Sequence, residues 1–141
     1  MQPAEVARGA DELVKTLVRA SEQEIRQAFG ARDPIPWSFN PALIHIGERR
    51  VLVDAGLRAH SDGPVHGIVD LLGETGLKPE SVTDIVITHG HGDHVGGLVD
   101  DSGKAVFPNA TVRLHHNEQQ HWTTGGGSGD AGVMFRAAIA A

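Results

Sequence analysis

The stretch that decides the fold reads Thr88-His89-Gly90-His91-Gly92-Asp93-His94-Val95-Gly96-Gly97. Within it, three imidazoles and one carboxylate fall inside six consecutive residues. These side chains suit Zn²⁺, Fe²⁺ or Mn²⁺ as ligands. The chain contains no cysteine, so thiolate metal sites, disulfides and cysteine nucleophiles are excluded. The stretch therefore predicts a metal site built from nitrogen and oxygen ligands.

The spacing of these four side chains indicates which of them can bind the same metal ion. His89 and His91 are two residues apart, so on an extended segment they point to the same side and can hold one ion. Asp93 and His94 follow a turn and are offset, so they can hold a second ion nearby. Two ions about 3.5–4 Å apart can share a bridging hydroxide, which is a strong nucleophile at neutral pH.

Glycines lie between and after the predicted ligands. Gly90 and Gly92 let the backbone turn tightly, so that alternate side chains can converge. Gly96 and Gly97 permit the backbone to approach either a metal ion or a following helix closely. The ligands are therefore expected on a tight loop.

Strand and helix signals alternate around this loop. The β-branched run over residues 82–88 predicts a strand, buried on both faces, that leads directly into the loop. Upstream, residues 42–46 and 50–54 predict a hairpin turning at Gly47-Glu48, and residues 64–75 predict an amphipathic helix ended by Gly76. Downstream, the sequence predicts a strand over 110–114, a short helix beginning near Asn117 and a helix over 131–141. This alternation is typical of an α/β or α+β protein.

The N-terminal part predicts a helix in two pieces over residues 10–30, although residues 14–18 also fit an edge strand. Ser21 and Glu24 have the spacing of a capping box, and Gly30 fits a helix stop. Three prolines then indicate an extended linker, namely Pro34, Pro36 and Pro41. With 141 residues, the chain is expected to be one domain, 1–141, with a flexible glycine-rich loop at 125–130.

The pattern His89-x-His91-x-Asp93-His94 resembles the H-x-H-x-D-H signature of the metallo-β-lactamase superfamily. Three flanking segments are also similar to that family: Val51-Leu52-Val53-Asp54-Ala55-Gly56, Ile85-Val86-Ile87-Thr88 and Phe107-Pro108-Asn109-Ala110-Thr111-Val112. The last is most like the lactonase-type members, which open acyl-homoserine lactones. The resemblance covers residues 40–122 and implies the first half of an αββα sandwich, with a mixed sheet flanked by helices.

The resemblance also implies roles for individual residues. His89 and His91 would ligate a first ion, and Asp93 and His94 a second. Asp93 would be catalytic as well, because it would orient the bridging hydroxide and exchange a proton with it. Asp54 would support the site by hydrogen bonding. The implied activity is that of a metal-dependent hydrolase using a metal-bound hydroxide on a small ester, lactone or thioester. Zn²⁺ is the expected cofactor, with two ions in a complete site, and Fe or Mn is the alternative.

The chain departs from the family pattern downstream of the loop. Family members are usually longer and place a His, a bridging Asp and a late His there. The histidines that follow the loop, His115, His116 and His121, are expected at the surface or at helix ends. We therefore expect a domain that is incomplete at its C-terminus. The alternative function is a non-catalytic metal-binding half-fold that self-associates, the homo-oligomer covering the open face of the half-sandwich.

Charge and motifs exclude other functions. The chain has 12 basic and 18 acidic residues, a formal net charge of −6 that disfavours nucleic acid, anionic membranes and a nuclease branch of the same superfamily. A small-molecule substrate is expected instead. No G-x-S-x-G supports a serine nucleophile. No apolar run of about 18 residues or signal peptide is apparent, so a cytoplasmic location is expected. Trp122 fits either a core position or a substrate platform.

Overall fold

The computed structural model describes residues 4–8, 21–30, 35–58, 67–124 and 130–140. The chain divides into two compact units. The smaller comprises residues 5–38, and the larger comprises residues 39–141 together with 1–4. All four predicted metal ligands belong to the larger unit. None of the helices in the described ranges is both long and apolar enough to cross a membrane.

The helix predicted after Ser21 is present as α1 (Glu22–Phe29). Its N-terminus is a capping box, since the amide of Glu24 donates to Ser21 Oγ at 3.3 Å and the amide of Ser21 donates to the Glu24 carboxylate at 2.8 Å. Gly30 follows with a positive φ of 64°, as its predicted role in ending the helix requires. The first predicted helical piece, up to residue 20, lies outside the described residues.

The proline-rich segment is extended, as predicted, but it is more than a linker. Ile35–Phe39 forms strand β2, which pairs with β1 (Ala4–Arg8) in a two-stranded sheet. Strand β1 was not predicted from the sequence, because five residues with two polar side chains give a weak strand pattern.

The larger unit is built on a four-stranded mixed sheet in the order β3-β4-β5-β6. The strands are β3 (Ala42–Ile46), β4 (Arg49–Val53), β5 (Asp84–Ile87) and β6 (Thr111–Leu114). The predicted hairpin is confirmed, with β3 antiparallel to β4 and Gly47 at a φ of 58° in the turn. Strands β4, β5 and β6 are parallel, so their C-terminal ends meet at one edge.

The three predicted helices of this unit are present with shifted boundaries, and a short helix over Gly92–Val95, where a loop was predicted, and two 3₁₀ turns are added to them. They are α2 (Ile68–Glu74), α3 (Gly92–Val95), α4 (His116–Thr123) and α5 (Asp130–Ala140), with 3₁₀ turns at Pro79–Ser81 and Gly96–Leu98. Of the predicted helix over 64–75, residues 64–66 lie outside the described ranges and α2 begins at Ile68. The predicted glycine-rich loop falls mostly outside them as well, and Asp130 already belongs to α5.

The core lies against one face of the sheet. Leu52, Ile85 and Ile87 point to this face and are buried in one apolar cluster with Trp122 of α4 and Phe135 of α5. The opposite face carries Ile44, Ile46 and Val86, which are 44%, 61% and 38% exposed. The prediction that the strand before the loop is buried on both faces is therefore wrong. The described helices of the larger unit pack against the first face, and Val86 on the opposite face is exposed.

Candidate metal site

The predicted ligands lie at the C-terminal edge of the parallel strands. Asp54 follows β4, and Thr88 follows β5 and opens the loop that carries the ligands. Two backbone hydrogen bonds tie these segments together: the amide of Asp54 donates to the carbonyl of Val86 at 2.9 Å, and that of Ala55 donates to the carbonyl of His94 at 2.8 Å. We call residues 88–95 the metal loop.

Asp54 anchors the start of the metal loop. Its carboxylate accepts hydrogen bonds from the amide and the hydroxyl of Thr88, both at 2.8 Å. Its φ of 59° is unusual for a residue with a side chain. Such strain is concentrated at functional sites, where the surrounding contacts hold it in place. The structure thus places Asp54 where the resemblance expected it, behind the predicted ligands.

The same carboxylate also orients His94. Its Oδ2 lies 2.8 Å from His94 Nδ1, while His94 Nε2 lies 3.4 Å from Asp93 Oδ2. A histidine that donates from Nδ1 to a carboxylate keeps the lone pair on Nε2, which is the usual arrangement behind a metal-binding imidazole. The ring of His94 is therefore held so that the lone pair of Nε2 is available to bind a metal ion.

Thr88 extends this effect to His89. Because the Thr88 hydroxyl donates its hydrogen to Asp54, it can only accept from the Nδ1 of His89, which lies 3.2 Å from it. That contact leaves the Nε2 of His89 unprotonated as well. One aspartate and one threonine thus set the orientation of two of the three histidines.

The three rings of the metal loop lie next to one another. The ring centroid of His89 is 4.7 Å from that of His91 and 3.8 Å from that of His94. Partial burial lowers the pKa of His89, and the charges that His94 and His91 can carry lower it further. The neutral imidazole, which is the form that binds metal ions, is therefore favoured.

The donor types fit a divalent cation, since imidazole nitrogen and carboxylate oxygen are the ligands of zinc and iron sites. The arrangement is not that of a closed site, however. Among the described residues, no group of three His, Cys, Asp or Glu side chains is placed so that it could hold an ion. The four predicted ligands are therefore neighbours on one loop, but their side chains do not converge on a common position for an ion.

The later histidines do not join this group in the described part of the chain. His115, His116 and His121 are all exposed, as expected. His115 has a local role, because its Nδ1 accepts from the amide of Asn117 at 3.3 Å and caps α4.

Three glycines in and just after the metal loop, Gly90, Gly96 and Gly97, pack closely against neighbouring segments. A Cβ on Gly97 would lie 2.2 Å from the carbonyl oxygen of Ala55, and one on Gly96 would lie 2.7 Å from the amide nitrogen of Arg58. The close approach expected at this pair is therefore observed towards the segment after β4. At Gly90, a Cβ would lie 2.3 Å from the indole nitrogen of Trp122.

Sequence reasoning missed one residue at this site. Glu118 Oε2 accepts from the amide of Gly90 and from the indole nitrogen of Trp122, each at 2.9 Å. Trp122 is a buried core residue, stacked on Phe135 and edge-on to His91 at 5.4 Å, which decides between the two roles expected for it. The four-residue spacing of Glu118 and Trp122 on a helix was the signal that could have revealed the pair.

Residues 36–134 match the sequence model of a family described as the metallo-beta-lactamase superfamily. The chain belongs to the metallo-beta-lactamase superfamily. The match includes the metal loop, Asp54 and Glu118, and it covers more than half of the chain. Members of this superfamily typically bind metal ions.

Two curated relatives share the region. Metallo-beta-lactamase domain-containing protein 1 of Mus musculus is 38% identical over 69 residues, which are 48% of this chain and 22% of the relative. Exodeoxyribonuclease WalJ of Streptococcus pneumoniae is 38% identical over 61 residues, which are 43% of this chain and 20% of that enzyme. The aligned part is thus about a fifth of either relative's length.

Two solved structures share the fold over nearly the whole chain. AidC, a dizinc quorum-quenching lactonase in complex with a product, superposes with a TM-score of 0.77 at 21% identity over 98% of this chain and 54% of its own. The hydrolase AbOPH of the beta lactamase superfamily gives 0.76 at 24% identity over 98% of this chain and 51% of its own. This likeness shows the metallo-beta-lactamase fold, as predicted, and the chain spans about half the length of both proteins.

Proposed function

We propose that this chain carries the metal-binding half of a metal-dependent hydrolase that acts on a small ester, lactone or thioester. The observation that carries the proposal is the hydrogen-bond network from Asp54 through Thr88, because it holds His89 and His94 with Nε2 free to bind. Membership of a hydrolase-type superfamily supports it, and the fold shared with a lactonase favours lactones among the candidate substrates.

The residues that would hold the metal are those of the metal loop. His89 and His91 would bind one ion, and Asp93 and His94 a second, with Zn²⁺ the expected metal. When bound, such an ion polarises a substrate carbonyl and lowers the pKa of a water molecule. The ligands that complete the expected set are not among the described residues of this chain.

The chain's own side chains would then position the reaction and move the proton. Asp93 Oδ2 faces His94 Nε2 and its side chain is one-third exposed, so it can take a proton from an attacking water and remain accessible to substrate. Asp54 and Thr88 would keep the imidazoles in the binding tautomer throughout.

The test is a hydrolysis assay of the full chain loaded with Zn²⁺, on short acyl lactones, aryl esters and thioesters. We expect H91A and D93A to reduce turnover to background, because each removes a ligand. The matched control is H45A, which removes an exposed histidine from β3. The proposal fails if H91A and D93A retain the activity of the wild type. A single-stranded DNA substrate belongs in the panel because of the exodeoxyribonuclease relative, although the net charge of −6 predicts no cleavage.

A second candidate function rests on the exposed sheet face. Three exposed apolar side chains, Ile44, Ile46 and Val86, lie there beside Arg49 and Arg113, and their exposure favours a non-catalytic, metal-binding half-fold that covers this face with a second copy. Light scattering at increasing concentration tests it. A dimer that dissociates in the I46D variant and hydrolyses nothing would support this function, while a monomer with steady turnover would contradict it.

A further inference from the structure

Glu118 connects α4 to the middle of the metal loop. A single oxygen, Oε2, receives both the amide hydrogen of Gly90 and the indole hydrogen of Trp122 at 2.9 Å. Gly90 lies between two predicted ligands, His89 and His91, so its peptide orientation affects the direction of both side chains. The loop is therefore fixed at its centre by a residue 28 positions downstream.

The packing around this bond leaves little freedom. Gly90 is buried, and the indole of Trp122 occupies the space where a side chain at residue 90 would lie, 2.3 Å from the ideal Cβ position. Phe135 of α5 lies 2.8 Å from the same position. The amide of Gly90 is thus enclosed by the rings of Trp122 and Phe135, and Glu118 accepts its hydrogen bond. A buried amide left without an acceptor costs about 1–3 kcal/mol of stability.

From these contacts we infer that Glu118 is a positioning residue for the metal centre, which holds Gly90 so that His89 and His91 flank it in a metal-binding orientation. This inference rests on the proposed function, because it presumes that the metal loop binds an ion. The hydrogen bonds of Glu118 go to Gly90 and Trp122, so it acts on His89 and His91 through the backbone between them. The hydrogen bond from Gly90, followed by that from Trp122, lowers the pKa of Glu118, so the carboxylate is charged at neutral pH and accepts strongly.

A simpler role for Glu118 is stabilisation of α4, since an acidic residue in the first turn interacts favourably with the helix dipole. That role and the positioning role predict different results. Loss of a dipole interaction weakens α4 alone, whereas loss of the Gly90 contact frees the metal loop. The E118Q variant also separates them, because glutamine keeps an acceptor oxygen for both donors but lacks the charge.

The experiment is a Co²⁺ titration of the full chain followed by visible absorption, with amide hydrogen exchange of the metal-free protein alongside. We expect E118A to lower Co²⁺ affinity about 10- to 100-fold, the range found for residues that support metal ligands. Exchange at residues 88–95 should accelerate in E118A, and E118Q should restore most of both properties. The control Q119A removes an exposed neighbour on α4 and should leave both unchanged.

The outcomes distinguish this inference from the proposed function. Wild-type affinity and loop protection in E118A would overturn the inference while leaving the function intact. A wild-type chain that binds no Co²⁺, or an H91A variant that binds it equally well, would overturn the proposed function and with it the metal role of Glu118. Faster exchange confined to α4 in E118A would assign the residue to helix stability and would also overturn the inference.

Discussion

One aspartate lies at each end of strand β5, Asp84 at its start and Asp54 of the neighbouring strand beside its end, and the partners of the two differ in kind. At the N-terminal end, Asp84 accepts from Arg49, Arg113 and Thr83. At the C-terminal end, Asp54 accepts from Thr88 and lies against His94. Both carboxylates are largely covered, since the side chain of Asp84 is 7% exposed and that of Asp54 is 14% exposed.

We interpret this difference as one end that stabilises the fold and another that, under the proposed function, supports a metal centre. Asp84 is neutralised by two permanent cations, whose side chains are 56% and 58% exposed and lie over it. Within the described part of the chain, the carboxylate of Asp54 is bonded to Thr88 and His94 and to neither arginine nor lysine. Its negative charge is instead directed at histidines that can bind a metal ion. One end is electrostatically complete, whereas the other is suited to receive a cation.

Separate replacement of the two aspartates should give the largest effects. We expect D54N to lower Zn²⁺ affinity about 10- to 100-fold, because the amide can no longer fix both His94 and Thr88. D84N should leave Zn²⁺ affinity unchanged and lower the melting temperature. Competition with a zinc chelator and thermal denaturation measure the two effects. Equal loss of affinity in both variants would remove the distinction between the two ends.

Packing gives a second, smaller contrast. We expect G90A to destabilise the fold by about 1–3 kcal/mol, the usual cost of overpacking, because its Cβ would overlap Trp122. The matched control is G73A in α2, where a Cβ meets nothing within 4 Å and alanine should stabilise by about 0.5–1 kcal/mol. Urea unfolding gives both values. Wild-type stability in G90A would show that the loop tolerates a shift away from α4.

Acid should give the smallest effect of the three, and we predict it for the Asp84 end of the strand. The hydrogen bond from Arg49, then those from Thr83 and Arg113, hold the pKa of Asp84 well below its usual range. Because the folded pKa lies below the unfolded value of about 3.9, the ionised Asp84 carboxylate stabilises the fold at higher pH. This stabilisation is lost as the pH falls below about 4 towards the folded pKa. We expect the unfolding free energy of D84N to vary less with pH below 4 than that of the wild type. Parallel curves would show that Asp84 contributes nothing to acid stability.

The elements with local signals were predictable from the sequence. The capping box of α1, the hairpin turn at Gly47 and the order of strands around the metal loop all follow from short-range patterns, and each is present. Asp54 came from the family resemblance. Its partner Thr88 is 34 residues away, and only the parallel pairing of β4 with β5 brings them together.

The features that were not predicted depend on long-range contacts. Arg49 and Arg113 reach Asp84 only through the register of three strands, at separations of 35 and 29 residues. Glu118 reaches Gly90 only because α4 packs on the metal loop. The exposure of Val86 depends on what covers the second sheet face, which the pattern of a single strand does not encode.

Whether the metal loop binds an ion is decided by the metal content of the purified chain. The purified full chain is dialysed against Zn²⁺, freed of unbound metal and analysed by inductively coupled plasma mass spectrometry, with H91A treated in parallel. If the metal loop is a metal centre, the wild type retains at least one ion per chain and H91A loses it. A wild-type content equal to that of H91A would contradict the account.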